Sequence, residues 1–258
     1  MKTFKNFLEK SYKILFPLIA IAVIVIVWQI LALVYNAEVI MPSPIKVIGE
    51  FFIALSSGDF YFSLLYTLLR AIVAFIISFV LAFITAYISY KNKYFKYFMM
   101  PLTLISKTLP TMSIILLCYL VISPSVSPIF ITFLVVFPLS YTEQLNNLQS
   151  LDINIIQTAK VYGVSDKKIF KNYLLPEMLE KSFFTSVSLL AFSIKLTISA
   201  EAIVFSSISL GVLMSTAKSN LQTGLLFAYT IVAILLGLLL EFIAYAVKKR
   251  VDNKRGNL

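Results

Sequence analysis

The chain has 258 residues, of which 60% are hydrophobic and only 13% charged, and its mean hydropathy is +0.92. Soluble domains carry about 25% charged residues, so the composition excludes a soluble globular protein and predicts one all-α integral membrane domain over residues 1–258. The net charge of +10 requires no nucleic-acid partner, because lysines flanking membrane spans account for it and no soluble segment is long enough to present a basic groove.

A hydrocarbon core about 30 Å thick takes roughly 20 apolar residues per helix, which predicts six spans in a multi-pass protein. The first runs over about Ile14–Tyr35, and no small-residue cleavage site follows it, so it reads as a retained span rather than a signal peptide. In the segment that follows, Ser43 can cap a short helix with Pro44 at its first position. This helix is expected to lie in the interface with Lys46, Glu50 and Asp59 toward water. Tyr61–Tyr90, Phe98–Ile122 and Pro128–Leu148 come next, and Pro101, Pro110 and Pro138 predict kinks that neighbouring helices must satisfy. A polar stretch, Asp152–Lys181, separates these from Phe183–Ser207 and Leu221–Val247.

Most of the 22 basic residues fall on one side of this arrangement. They are Lys2, Lys5, Lys10 and Lys13, then Lys91, Lys93 and Lys96, then Lys160, Lys167, Lys168, Lys171 and Lys181, and finally Lys248, Lys249, Arg250, Lys254 and Arg255. Basic loops stay cytoplasmic, so both termini and the 152–181 loop are expected in the cytoplasm.

Chemistry is sparse. The chain has no histidine and a single cysteine, Cys118, which leaves neither the commonest general base nor a ligand set for zinc or iron. No G-x-x-x-x-G-K-[ST] segment is present to cradle nucleotide phosphates. The expectation is a protein that is not an enzyme, with no catalytic residue, metal or cofactor in this chain. If ATP drives it, another subunit binds the ATP and its Mg.

Charges inside the spans are costly and normally face protein or water. Arg70, Lys107, Glu143, Lys195, Glu201 and Glu241 are such charges, and Arg70, Lys107, Lys195 and Glu201, with Gly211 beyond a serine-rich turn, are the candidate pathway or gate residues. The alternative is that Arg70 and Glu201 bond nearby backbone or snorkel. Lys195 and Glu201 are about 240° apart around a helix, so each needs a different partner.

The Asp152–Lys181 segment reads as a compact knob. Ile155, Ala159 and Tyr162 form a narrow apolar stripe at helical spacing. Gly163 ends that helix in the left-handed conformation, Ser165 offers the next N-cap with Asp166 in the first turn, and Leu175-Pro176 closes this second helix and opens another.

Here the sequence resembles the inner-membrane permeases of bacterial ABC importers. Their cytoplasmic loop carries Glu-Ala-Ala, three residues, a glycine, nine residues, a hydrophobic position, one more residue and Leu-Pro. This chain has Gln157-Thr158-Ala159, Gly163, Tyr173 and Leu175-Pro176 at every one of those spacings, but lacks the initial glutamate and the first alanine. MPSPIKVI, SLLYTLLRAIVAF around Arg70, Leu109-Pro110, Ala200-Glu201 and SLGVLM around Gly211 look like the subgroup that imports sulfonates, taurine, nitrate, bicarbonate or thiamine precursors.

The resemblance implies a type I importer permease fold in the bacterial cytoplasmic (inner) membrane and a dimer of two permease copies. It also implies two ATPase subunits gripping the loop through Gln157, Thr158, Ala159, Tyr162, Gly163, Ser165, Leu175 and Pro176, and an extracytoplasmic solute-binding protein. The competing reading is an ion-gradient-driven secondary transporter or channel, which calls for grouped membrane carboxylates. A membrane scaffold without transport would have no polar spans.

Overall fold

Residues 2–255 are described by the computed structural model in backbone, and residues 12, 15–183, 185–243 and 245–246 in side chain as well. Within these every regular element is helical. The order is α1 (Lys2–Tyr35), α2 (Pro44–Ser56), α3 (Gly58–Lys91), α4 (Lys93–Thr108), α5 (Thr111–Val121), α6 (Ser127–Gln149), α7 (Ile153–Val161), α8 (Asp166–Ile169), a π turn (Phe170–Leu174), α9 (Leu175–Val204), α10 (Leu210–Ser219) and α11 (Thr223–Arg255). Of the basic residues that orient the chain in the sequence, Lys2, Lys5, Lys10, Lys13, Lys248, Lys249, Arg250, Lys254 and Arg255 have side chains outside the described residues.

Among the described residues five helices are long and apolar enough to cross a membrane, and a sixth crossing exists if α4 and α5 count as one span. The kink expected from Pro110 within Phe98–Ile122 is present and sharp: the chain bends by 100° between α4 and α5. Leu109 is extended (φ −68°, ψ 130°) because the ring of Pro110 excludes the helical region for the residue before it, and Pro110 supplies no N–H to continue the ladder. Pro101 and Pro138 are accommodated inside α4 and α6. A correction concerns Leu175-Pro176, which does not close a helix. The chain passes from α8 through the π turn into α9 without leaving helical backbone, and Pro176 is tolerated because it falls in the first turn of α9.

Lipid tails are as apolar as leucine, so helices associate in a membrane through close packing of small residues and interhelical hydrogen bonds. The buried face of α3 shows this directly: Ser63, Thr67, Ala71, Ala74, Ser78, Ala82, Ala86 and Ser89 recur every three or four residues. This stripe lets α6 and α9 approach closely. Tyr141 donates to Ser89 at 2.8 Å, the hydroxyls of Thr132 and Thr197 lie 2.9 Å apart, and Ser182 donates to Gln144. α9 is the central helix, packed by α3, α6, α10 and α11.

α1 stands apart from this bundle, none of its most apolar stretch being buried. It is held by Trp28, whose indole N–H donates to the Pro42 carbonyl at 3.0 Å and whose ring stacks on Phe227. α2 is capped as expected, with Ser43 accepting from the Lys46 amide and Pro44 first in the helix, but Asp59 falls in α3 and Lys46 and Glu50 are half-buried. Val47 and Ala54 are buried, and Lys46 pairs with Glu38.

Candidate functional site

Thr67 and Arg70 lie one turn apart on the same face of α3, opposite the last turn of α9. There Glu201, with no exposed surface, accepts from the Thr67 hydroxyl at 2.7 Å and from the Arg70 guanidinium at 2.9 Å. Arg70 also donates to the Ile208 carbonyl at 3.0 Å, and the Leu210 amide donates to the Thr67 hydroxyl at 2.9 Å. One carboxylate thus bolts α3 and α9 to the 205–210 turn that leads into α10.

The turn itself is tightly built. Phe205 ends α9 in the left-handed region at φ 53°, and Ser209 caps α10 by accepting from the Val212 amide at 3.2 Å. Gly211 then lies directly against α9. A Cβ there would fall 2.4 Å from the Ile198 carbonyl oxygen and 2.6 Å from both the Ala202 nitrogen and the Glu201 Cβ, so only glycine allows this approach.

Of the charges singled out in the sequence, Arg70 and Glu201 are brought together with Gly211. Arg70 bonds backbone at the Ile208 carbonyl, as the alternative has it, and the Glu201 carboxylate besides. Thr67 was missed; its only signal was its place in the small-residue stripe, one turn before Arg70. Lys107 and Lys195 do not join this node. Lys107 is exposed at the end of α4, in a cleft of about 220 Å³ lined also by Lys96, Tyr97, Thr103, Tyr141 and Thr142. Lys195 is exposed on α9, as its angular separation from the buried Glu201 requires. Glu143 is half-buried on α6 and Glu241 exposed on α11.

The 152–181 segment forms the opposite end of the α3–α9 pair. Asp152 caps α7 by accepting from the Asn154 amide at 2.8 Å. Gly163 ends it at φ 74°, with its amide bonded to Lys160 O at 2.9 Å and the Val164 amide to Ala159 O at 3.0 Å. This is a Schellman closure, and it satisfies carbonyls that a frayed end would leave to water.

Ser165 occupies the expected N-cap position of α8, but its side chain makes no cap hydrogen bond. The apolar stripe is also corrected. Ile156 and Ala159 pack inward on the core around Leu148, Ile169 and Leu174, whereas Ile155 and Tyr162 point outward with Gln157 and Thr158. Spacing alone could not tell which of two adjacent apolar faces meets the bundle.

The segment is clamped to its surroundings. Asp166 pairs with Lys91 at the end of α3 and with Lys160 on α7, each at 3.5 Å. Lys91, followed by Lys160, holds the Asp166 carboxyl below the usual carboxylate range. Tyr87 and Phe170 meet at a ring separation of 4.5 Å, and Lys181 donates to Ser150 at 2.8 Å across the base of the loop. At the tip of this braced structure Val161 and Tyr162 are 85% and 82% exposed.

Residues 74–253 match the family described as binding-protein-dependent transport system inner membrane component. The chain belongs to this family. It is a multi-pass, ABC-type permease component, and the matched range takes in the braced loop, Glu201 and Gly211 while beginning just after Thr67 and Arg70. No curated protein matches this permease.

Proposed function

We propose that this permease forms the translocation pathway of an ATP-driven importer in a bacterial inner membrane. In this reading two copies assemble, a binding protein delivers a small solute from outside, and two ATPase subunits hold ATP and Mg while gripping the 152–181 loop of each copy. The observation that carries it is the loop tip. Val161 and Tyr162 are large, apolar and exposed on a segment braced by the Gly163 closure and the Lys91–Asp166–Lys160 pairs. An apolar projection held this firmly outside the bundle suits insertion into a groove on another protein.

Force applied to the loop has two routes inward: α9 is continuous with it through the π turn, and α3 packs on it where Tyr87 meets Phe170. Both helices meet again at Glu201. Loop movement therefore shifts α3, α9 and the 205–210 turn as one body, in the manner of alternating access. The ion-gradient alternative is disfavoured because Glu143, Glu201 and Glu241 stand on three helices and Glu201 is committed to Arg70.

The test is purification from native membranes of the chain and of a Val161→Ser, Tyr162→Ser double variant. The expected result is a nucleotide-binding ATPase recovered with the natural chain and at least about tenfold less with the variant, since losing two buried apolar anchors costs more than 1.4 kcal/mol. Equal recovery with both would overturn the coupling role.

A further inference from the structure

We propose that the exposed line of α9 centred on Lys195 is a wall of the water-filled solute pathway, and that Lys195 makes this pathway select for anionic solutes. The solute claim rests on the transport reading above, while the wall itself stands on the geometry of α9. This helix is surrounded by α3, α6, α10 and α11. Between Thr185 and Val204 its exposed residues are Ser188, Phe192, Lys195 and Ser199, spaced four, three and four apart, so they form one narrow line along the helix.

Faces that meet lipid in this protein look different. The exposed line of α3 runs Leu65, Leu69, Val73, Ile76, Ile77, Val80 and Ile84, apolar throughout. Three of the four exposed positions between Thr185 and Val204 are polar, one of them charged, and a polar line along the central helix is the surface that water requires.

Depth strengthens the case. Lys195 stands midway along the apolar run Phe183–Ser207, twelve residues or about 18 Å of helix from Phe183 and nine residues or about 14 Å from the end of α9 at Val204. It lies near the middle of a hydrocarbon core about 30 Å thick, too deep for its stem to carry the ammonium to an interface. Its stem lies over Gly237 of α11, Cε being 3.8 Å from where a Cβ would stand. Among the described residues its ammonium is in no ion pair or side-chain hydrogen bond. Glu201 is occupied by Arg70, and neither Glu143 nor Glu241 comes within 4.0 Å of it. An unpaired charge at that depth calls for water, a solute of opposite sign or a group from another subunit, and the polar line on which it stands favours water.

Thiol labelling in proteoliposomes tests this without knowledge of the natural solute. In the full chain carrying Cys118→Ala, which removes the only native thiol, either Ser199→Cys or Ser188→Cys is treated with two membrane-impermeant methanethiosulfonates, one bearing a sulfonate and one a trimethylammonium group. Both reagents are expected to label both positions, and at Ser199→Cys the sulfonate reagent is expected to be the faster once each rate is divided by that reagent's rate with a free thiol in solution. Adding Lys195→Met should lower the anion-to-cation rate ratio about tenfold, the effect of one charge roughly 6 Å away in water on reagents of opposite sign, and Lys195→Arg should keep it.

Absence of labelling at both positions, as when the line faces lipid or a second copy, overturns the pathway wall. A rate ratio indifferent to Lys195→Met overturns the selectivity, as when another subunit neutralises the charge. These outcomes are independent of ATPase recovery, so failure of this inference and failure of the coupling reading can be told apart.

Discussion

Glu201 and Arg70 illustrate how a costly pair can organise a membrane protein. Burying two charges carries a desolvation penalty comparable to their attraction, so the pair adds little net stability, but removing one partner strands the other. Arg70→Met and Glu201→Leu alone are each expected to cost about 3–5 kcal/mol, read as a lower unfolding temperature in detergent. The double variant should cost clearly less than the sum of the two, and strict additivity would show that the pair is not coupled. Gly211 sits at the same node for a steric reason. Gly211→Ala places a methyl 2.4 Å from the Ile198 carbonyl oxygen, and the resulting displacement of α10 should cost about 1–3 kcal/mol. Wild-type thermal stability of this variant would mean that α10 is not seated as described.

At the scale of elements, α3 and α9 form a pair fastened at both ends. Arg70 and Lys91 are 21 residues apart on one helix, about 31 Å, and each holds a carboxylate contributed by the α7–α9 region. The far latch is buried, whereas the Asp166 latch is exposed and therefore weak and salt-sensitive. Because the Asp166 pKa is depressed by Lys91 and Lys160, its contribution is complete above the ordinary value of about 3.9 and is lost as pH falls through the depressed value. Amide exchange in residues 166–174, corrected for its intrinsic pH dependence, should thus be flat between about pH 6 and 8 and speed up on acidification below about 4. Asp166→Asn should give the faster exchange already at neutral pH, and identical protection in the variant would remove the latch from the account. The break between α4 and α5 belongs to this scale too, since Pro110 turns what composition reads as one span into two helices.

For the molecule as a whole, the loop tip is stiff and apolar and the rest of the bundle carries its movement. Gly163 is the position where stiffness can be altered without touching the fold. No atom lies within 4 Å of a Cβ placed there, and its φ is +74°, so Gly163→Val meets only a backbone penalty of about 1–2 kcal/mol. Membrane insertion and thermal stability of the bundle should stay near wild type while solute uptake by the assembled transporter falls several-fold. Uptake unchanged in this variant would argue that the loop need not be rigid.

Much of this was legible in residue order because it depends on local chemistry. Span number follows from the length of apolar runs against a fixed bilayer thickness, the cap at Ser43 and the turn at Gly163 depend on a few neighbouring residues, and loop spacing identified the family later matched over residues 74–253. Tertiary structure decided what depends on distant neighbours. It chose Ile156 over Ile155 as the inward face of α7, carried the helix through Leu175-Pro176, joined Thr67 and Arg70 to a carboxylate more than 130 positions away, and left Lys195 outside that node. The physical reason is that one-dimensional periodicity records which residues share a face but not which face a neighbour covers. Only the packed bundle settles which charges are paired and which meet open space.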